Sequence, residues 1–215
     1  LILSNVGGVC YWEGRWDDAM SYYERGRDES VKVGSAVNAA TASMNIAEIL
    51  TDRGEHAEAE ATLQKTLPVW KSSEYRYFQG ACHWMLGRVS LRANRIDEAL
   101  TRFAEARKLL AEVGAEHEVQ DVDARVAECR MLKGDADGAI ALADEVLGRT
   151  ESADAIERLK PHLNRVRGYA MLLQSDPFGA REAFEASLAV ARERNDRFEI
   201  ALPLNALAEL DRLEG

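Results

Sequence analysis

The most reactive side chains in this chain of 215 residues are four histidines and three cysteines set among 37 carboxylates. His56, His83, His117 and His162 include no pair four residues apart on one helix, and no His-Glu-x-x-His occurs. A metal site needs three or four converging ligands, so these read as surface or interhelix histidines. The stretch GAEHEVQD at 114–121 gathers Glu116, His117, Glu118 and Asp121. It suits a metal less well than the acid-rich first turn of a helix, where carboxylates meet the positive end of the dipole. Cys10, Cys82 and Cys129 are odd in number, far apart and without zinc or redox spacing, so we expect three buried thiols in a reducing cytosol. Neither G-x-x-x-x-G-K-[ST] nor G-x-G-x-x-G is present to cradle a phosphate, and no nucleophile is paired with a base. The expectation is a non-catalytic protein with no cofactor and no metal.

The chemistry that remains is recognition. Asn5 and Asn45 stand 40 residues apart, and Arg125 falls in the same column two further steps along. An amide in such a column can both donate to and accept from the backbone of an extended peptide. The plainer alternative is that the two asparagines only solvate a helix face. Trp84, four residues before Arg88, is either an aromatic anchor for a partner or a core residue. The mixed charges of Glu48, Arg88, Arg125, Glu128 and Arg165 suit a polar partner rather than a lipid. Lys plus Arg is 27 and Asp plus Glu is 37, so the net charge is 27 − 37 = −10, which argues against nucleic acid. The one basic stretch, RERNDR at 192–197, is interrupted by acid and amide. No run of 18 apolar residues suggests a membrane span, and the start has no basic n-region of a signal peptide. The absence of an initiator Met suggests a fragment.

The elements that position these residues repeat. NVGGVCYWEGRWDDAMSYYERG (5–26) aligns with NIAEILTDRGEHAEAEATLQKT (45–66), MLGRVSLRANRIDEALTRFAEA (85–106), VAECRMLKGDADGAIALADEV (126–146) and RGYAMLLQSDPFGAREAFEAS (167–187). A sixth copy begins at NALAELDRLEG (205–215). Gly7, Ala47, Gly87, Ala127, Gly168 and Ala208 form one column, and Ala19, Ala59, Ala99, Ala139 and Ala180 another, twelve residues on. Tyr23, Leu63, Phe103, Ala143 and Phe184 follow four residues later. Gly costs about 1 kcal/mol against Ala inside a helix, so Gly7 and its counterparts must be offset by the close approach of a second helix. Gly14, Gly54, Asn94 and Gly134 punctuate the turns, since Gly and Asn tolerate the left-handed conformation that ends a helix. Ser175-Asp176-Pro177 closes the turn of the fifth copy with a cap and a first-turn proline.

This pattern resembles the tetratricopeptide repeat, a helix-turn-helix whose small and aromatic positions recur in that order. MLGRVS…N…IDEALTRFAEA is the closest copy; the period of 40 exceeds the usual 34, and the proline that closes many such repeats is absent from most copies. The fold this implies is all-α, a right-handed α-α superhelix of five helical hairpins plus a sixth first helix. The chain then reads as one solenoid, 1–215, with repeats near 1–35, 36–73, 74–114, 115–153, 154–195 and a partial copy at 196–215. First helices are expected near 1–13, 36–53, 74–93, 116–133, 155–174 and 197–213, and second helices near 16–33, 56–70, 96–113, 136–148 and 177–194. Loops fall at 34–35, 72–73, 114–115, 152–154 and 195–196, and Pro161 and Pro203 make their helices start late or kink.

Arrays of this family line their concave face with the first helices and include members that hold peptides by an asparagine ladder. The resemblance therefore implies a groove that takes a protein or peptide segment, built from Asn5, Asn45, Glu48, Trp84, Arg88, Arg125, Glu128, Arg165 and Tyr169. The alanine-rich, acidic copies resemble the C-terminal arrays of bacterial multidomain signalling regulators. These are actinobacterial adenylate and guanylate cyclases with an ATPase module, and transcription activators of the maltose-regulator, LuxR-family type. That likeness implies a cytoplasmic sensor or regulatory segment. The alternative is an oligomerisation element of such a cyclase or regulator, pairing through its terminal helices.

Overall fold

The computed structural model describes the backbone of residues 2–149 and 153–214, and the side chains of 2–149 and 156–212. Among these there are eleven helices and no strand: α1 (Ile2–Trp12), α2 (Trp16–Lys32), α3 (Ala36–Asp52), α4 (His56–Ser72), α5 (Arg76–Arg92), α6 (Ile96–Glu112), α7 (Glu116–Leu132), α8 (Ala136–Leu147), α9 (Ala153–Leu173), α10 (Pro177–Glu193) and α11 (Arg197–Glu214). The all-α class and the five hairpins followed by a sixth first helix agree with the repeat pattern. Leu1 and Ser152, placed by that pattern in a helix and a loop, lie outside the described residues.

The turns are more regular than the glycines suggested. Helices α2 to α7 are each 17 residues long and each is followed by a three-residue turn. A left-handed residue recurs in those turns at Gly14, Gly34, Gly54, Glu74, Asn94, Gly114 and Gly134, and again at Ser175 and Asn195. After Gly14, Gly34, Gly54, Asn94, Gly134, Ser175 and Asn195 the next amide bonds back over the end of the helix, as with Arg15 N to Cys10 O at 2.9 Å and Glu55 N to Leu50 O at 2.8 Å. This satisfies carbonyls the helix leaves open. Asp135 and Asp176 cap the next helix with a side chain, accepting from Gly138 N at 3.0 Å and Gly179 N at 2.9 Å. Glu74 and Ser175 hold the strained conformation without being glycine or asparagine, so their turns were expected from the sequence but the left-handed residue in each was not.

Pro161 and Pro203 do not delay their helices: α9 already begins at Ala153 and α11 at Arg197, both running through the proline. Pro68 likewise lies inside α4, which continues to Ser72, two residues past its expected end.

Packing divides the chain into two compact units, residues 1–114 and 115–215. In the first, α2 lies against α1 and α3, α4 against α3 and α5, and α6 against α5. Its core includes Ile49, Leu63, Trp70, Leu86 and Val89. In the second, α8 lies against α7 and α9, and α10 against α9 and α11. Leu163, Val146 and Ala170 fill one part of it and Phe184 with Ala180 another.

The glycines in the repeat column are explained by what faces them. A Cβ built on Gly7 would lie 2.8 Å from the Tyr23 ring, on Gly87 2.5 Å from Phe103, and on Gly168 2.4 Å from Phe184. Where the column holds alanine, the residue sixteen places on is smaller: Leu63 for Ala47 and Ala143 for Ala127, all four fully buried. The volumes of the two columns therefore compensate, as close packing requires. The partner of the glycine is the aromatic ring itself; the alanines of the other column, Ala19 to Ala180, are fully buried beside it. Ala208 in α11 is exposed.

Candidate functional site

Within the first unit a groove of about 710 Å³ opens over the first helices. Ser4, Asn5, Gly8, Val9 and Trp12 of α1 form one wall and Val37, Asn38, Thr41 and Asn45 of α3 the other, with Phe78 of α5 and Tyr23 and Ser30 of α2 completing it. On α3 the offsets of three and four residues put Asn38, Thr41 and Asn45 on one face. Thr41 and Ser30 turn their hydroxyls into their own helices, donating to Val37 O at 3.0 Å and Gly26 O at 2.7 Å, so the amides, with the Ser4 and Tyr23 hydroxyls, are the polar groups with bonding capacity to offer. Asn5 and Asn45 do share this groove. The asparagines of the column end there, since its next position, in α5, is the buried Met85.

The same face continues toward the C-terminal ends of these helices as an ion cluster. Arg88 donates to Glu48 Oε1 at 3.1 Å and to Asp52 Oδ1 at 3.2 Å, and its guanidinium lies 4.9 Å from the centroid of the Trp84 ring. Tyr11 donates to the other oxygen of Asp52 at 2.6 Å, tying α1 to α3. Burial raises the Tyr11 pKa, and Glu48 and the bond to Asp52 raise it further, so the phenol remains a donor. Trp84 is a half-buried residue packed against the core and serves as the shelf for Arg88. Glu48, Trp84 and Arg88 are thus brought together, but their charges answer one another.

In the second unit the predicted residues form three local groups. Arg125 Nη1 donates to Glu128 at 3.0 Å and lies 3.4 Å and 3.5 Å from the two ring nitrogens of His162 on α9. Arg165 is ion-paired with Glu199 on α11. Tyr169 stacks edge-on against Phe184 with ring centroids 5.0 Å apart. Asp121, from the acid-rich stretch at 114–121, accepts from Arg158 at 2.7 Å. Among the described residues no group of three His, Cys, Asp or Glu is gathered to hold a metal ion. Cys10, Cys82 and Cys129 are buried and unlinked, and burial pushes the thiols of Cys82 and Cys129 up to about 12.

Sequence reasoning did not single out Val9, Trp12, Asn38 or Phe78. Asn38 carried a usable signal, seven residues before Asn45 and three before Thr41. Trp12 and Val9 gave none, because nothing local marks an apolar residue as uncovered; they are 85% and 56% exposed.

Residues 38–112, spanning most of α3 through α6, match the family model described as Tetratricopeptide repeat. The matched segment holds two of the hairpins, α3 with α4 and α5 with α6. No curated protein matches the chain in sequence. Solved structures similar to it include BtubC (BKLC) from P. vanneervenii, with a TM-score of 0.67 at 13% identity over 90% of this chain and 80% of that one. A Rap protein complexed with Competence and Sporulation Factor gives 0.67 at 18% identity, over 98% of this chain and 63% of that one. The Rap conjugation gene regulator of the plasmid pLS20, in complex with the Phr* peptide, gives 0.77 at 16%, over 94% and 55%. At these identities the likeness is one of fold, and the chain spans less than two thirds of the two Rap structures. Among the described residues no helix is long and apolar enough to cross a membrane.

Proposed function

We propose that this chain is a non-catalytic scaffold that captures an extended peptide or protein segment in the groove of its first unit. The observation that carries the reading is the convergence of Asn5, Asn38 and Asn45 from two first helices on one open groove. Two of the similar structures are Rap proteins, one in complex with the Phr* peptide and one with Competence and Sporulation Factor, which supports the same use of this fold. Glu48, Trp84 and Arg88 then buttress the groove from below, and Arg125, Glu128, Arg165 and Tyr169 hold successive helices of the second unit together.

The test is selection of random displayed peptides against the protein. Enriched peptides should lose about tenfold or more in affinity on Asn5→Ala with Asn45→Ala, since each amide bond to a peptide contributes on the order of 1 kcal/mol. The circular dichroism of the variant should be unchanged. No enrichment, or enrichment indifferent to both asparagines, would remove the reading.

In its wider setting we take the chain as a cytoplasmic sensor or regulatory segment of a larger bacterial signalling protein, with residues 1–215 as one array. The cyclase and maltose-regulator likeness supports this, and coding sequence on either side is the direct check. A second reading, self-association through terminal helices, is favoured by the apolar residues left uncovered there. Ile2 is 80% exposed and Phe198 67%. Light scattering across a range of concentrations should show mass rising with concentration if that reading holds, and Ile2→Ser with Phe198→Ser should abolish the rise; a constant monomer mass would exclude it.

A further inference from the structure

We infer that the groove takes a peptide segment without charged side chains, held mainly through its main chain. This rests on the peptide-binding reading and narrows it to a class of ligand. With 30% of the chain charged, a random set of twelve lining residues would include about three or four charged ones. This groove includes none: its wall consists of amides, hydroxyls, glycine, valine and aromatic rings. The contrast lies within the same unit. A second groove, of about 550 Å³ between α2, α3 and α4, includes Arg27, Glu58 and Lys65 in its lining.

The nearest charges along the shared helix faces are already committed. Arg88 sits between Glu48 and Asp52, and Asp52 also accepts from Tyr11. A carboxylate entering over Asn38 and Asn45 would give up water and meet no free cation, and an ammonium would meet only carboxylates already bonded to Arg88 and Tyr11, so neither ion is repaid as a neutral group would be. A peptide main chain suits the wall better, because every amide group offers one donor and one acceptor to match the asparagines. Trp12 and Val9, exposed at the rim, supply an apolar surface for an aliphatic or aromatic side chain of the ligand.

The selection of displayed random peptides decides between the outcomes. The enriched peptides should share an uncharged core, and placing one Asp or one Lys in that core should weaken binding to the intact protein about tenfold or more, the scale of an ion left without a partner. Enriched peptides that need an acidic or basic core residue, and that still lose binding on Asn5→Ala with Asn45→Ala, overturn this inference and leave the peptide-binding reading standing. Binding indifferent to the asparagines overturns both.

Discussion

Gly168→Ala should destabilise the protein by about 1–3 kcal/mol, although alanine is the better helix former by about 1 kcal/mol. The new methyl would stand 2.4, 2.6 and 2.9 Å from three atoms of the Phe184 ring, which is fully buried and has no free end to swing aside. Chemical unfolding at fixed pH measures the loss. Its cause is tested by adding Phe184→Leu. That change alone removes buried ring atoms and is itself destabilising. In the double variant it should instead recover much of the loss, because α3 and α4 already use that combination in Ala47 and Leu63, both fully buried. The coupling should reach about 1 kcal/mol or more, within the range measured for residues in contact. Strict additivity would show that the glycine is not there to admit the ring. Gly87 with Phe103 offers an independent repetition, at 2.5 Å.

Lowering the pH below 6.5 should cost the fold stability through His162. Burial pushes this imidazole down to about 3, with Arg125 and then Arg165 acting in the same direction, while Glu128 and a hydrogen bond to the Ala124 backbone oppose them. In the unfolded chain the ring titrates near its ordinary value of about 6.5. Between pH 6.5 and 3 the unfolded state therefore holds a proton that the native state lacks, and stability falls as pH falls. The slope for one such group is about 1.4 kcal/mol per pH unit, so about 2 kcal/mol is lost between pH 6.5 and 5. His162→Gln keeps a polar group in the space and removes the titration. Unfolding free energies measured from pH 7.5 to 5 should converge toward acid, the wild type losing more than the variant. Parallel profiles would mean that His162 titrates in the native protein as it does in the unfolded chain, and a wild type that gains on the variant toward acid would mean that the native ring is already protonated.

The separation between local and tertiary information is visible at particular positions. Helix number, and bounds to within two residues, followed from the sequence, because helix and turn form one short-range unit, punctuated by residues such as Gly14, Gly54, Asn94 and Gly134 that accept a left-handed backbone. The small-residue column was equally legible, since its contacts lie inside a hairpin at a constant sixteen-residue separation and recur in five copies. That Gly168 faces a ring while Ala127 and Ala143 lie in one buried cluster needed the coordinates, as did the left-handed Glu74 and Ser175. The groove was half legible: Asn5 and Asn45 stood in register, but their column continues as Met85 and Arg125, and sequence alone could not say where exposure ends. The pairings of Arg88 with Glu48 and Asp52, Arg125 with His162, and Arg165 with Glu199 span 34 to 40 residues between neighbouring hairpins. Periodicity places such residues on the same side of their helices. Only the packed distance between those helices decides whether a charge meets another charge or remains open to a ligand.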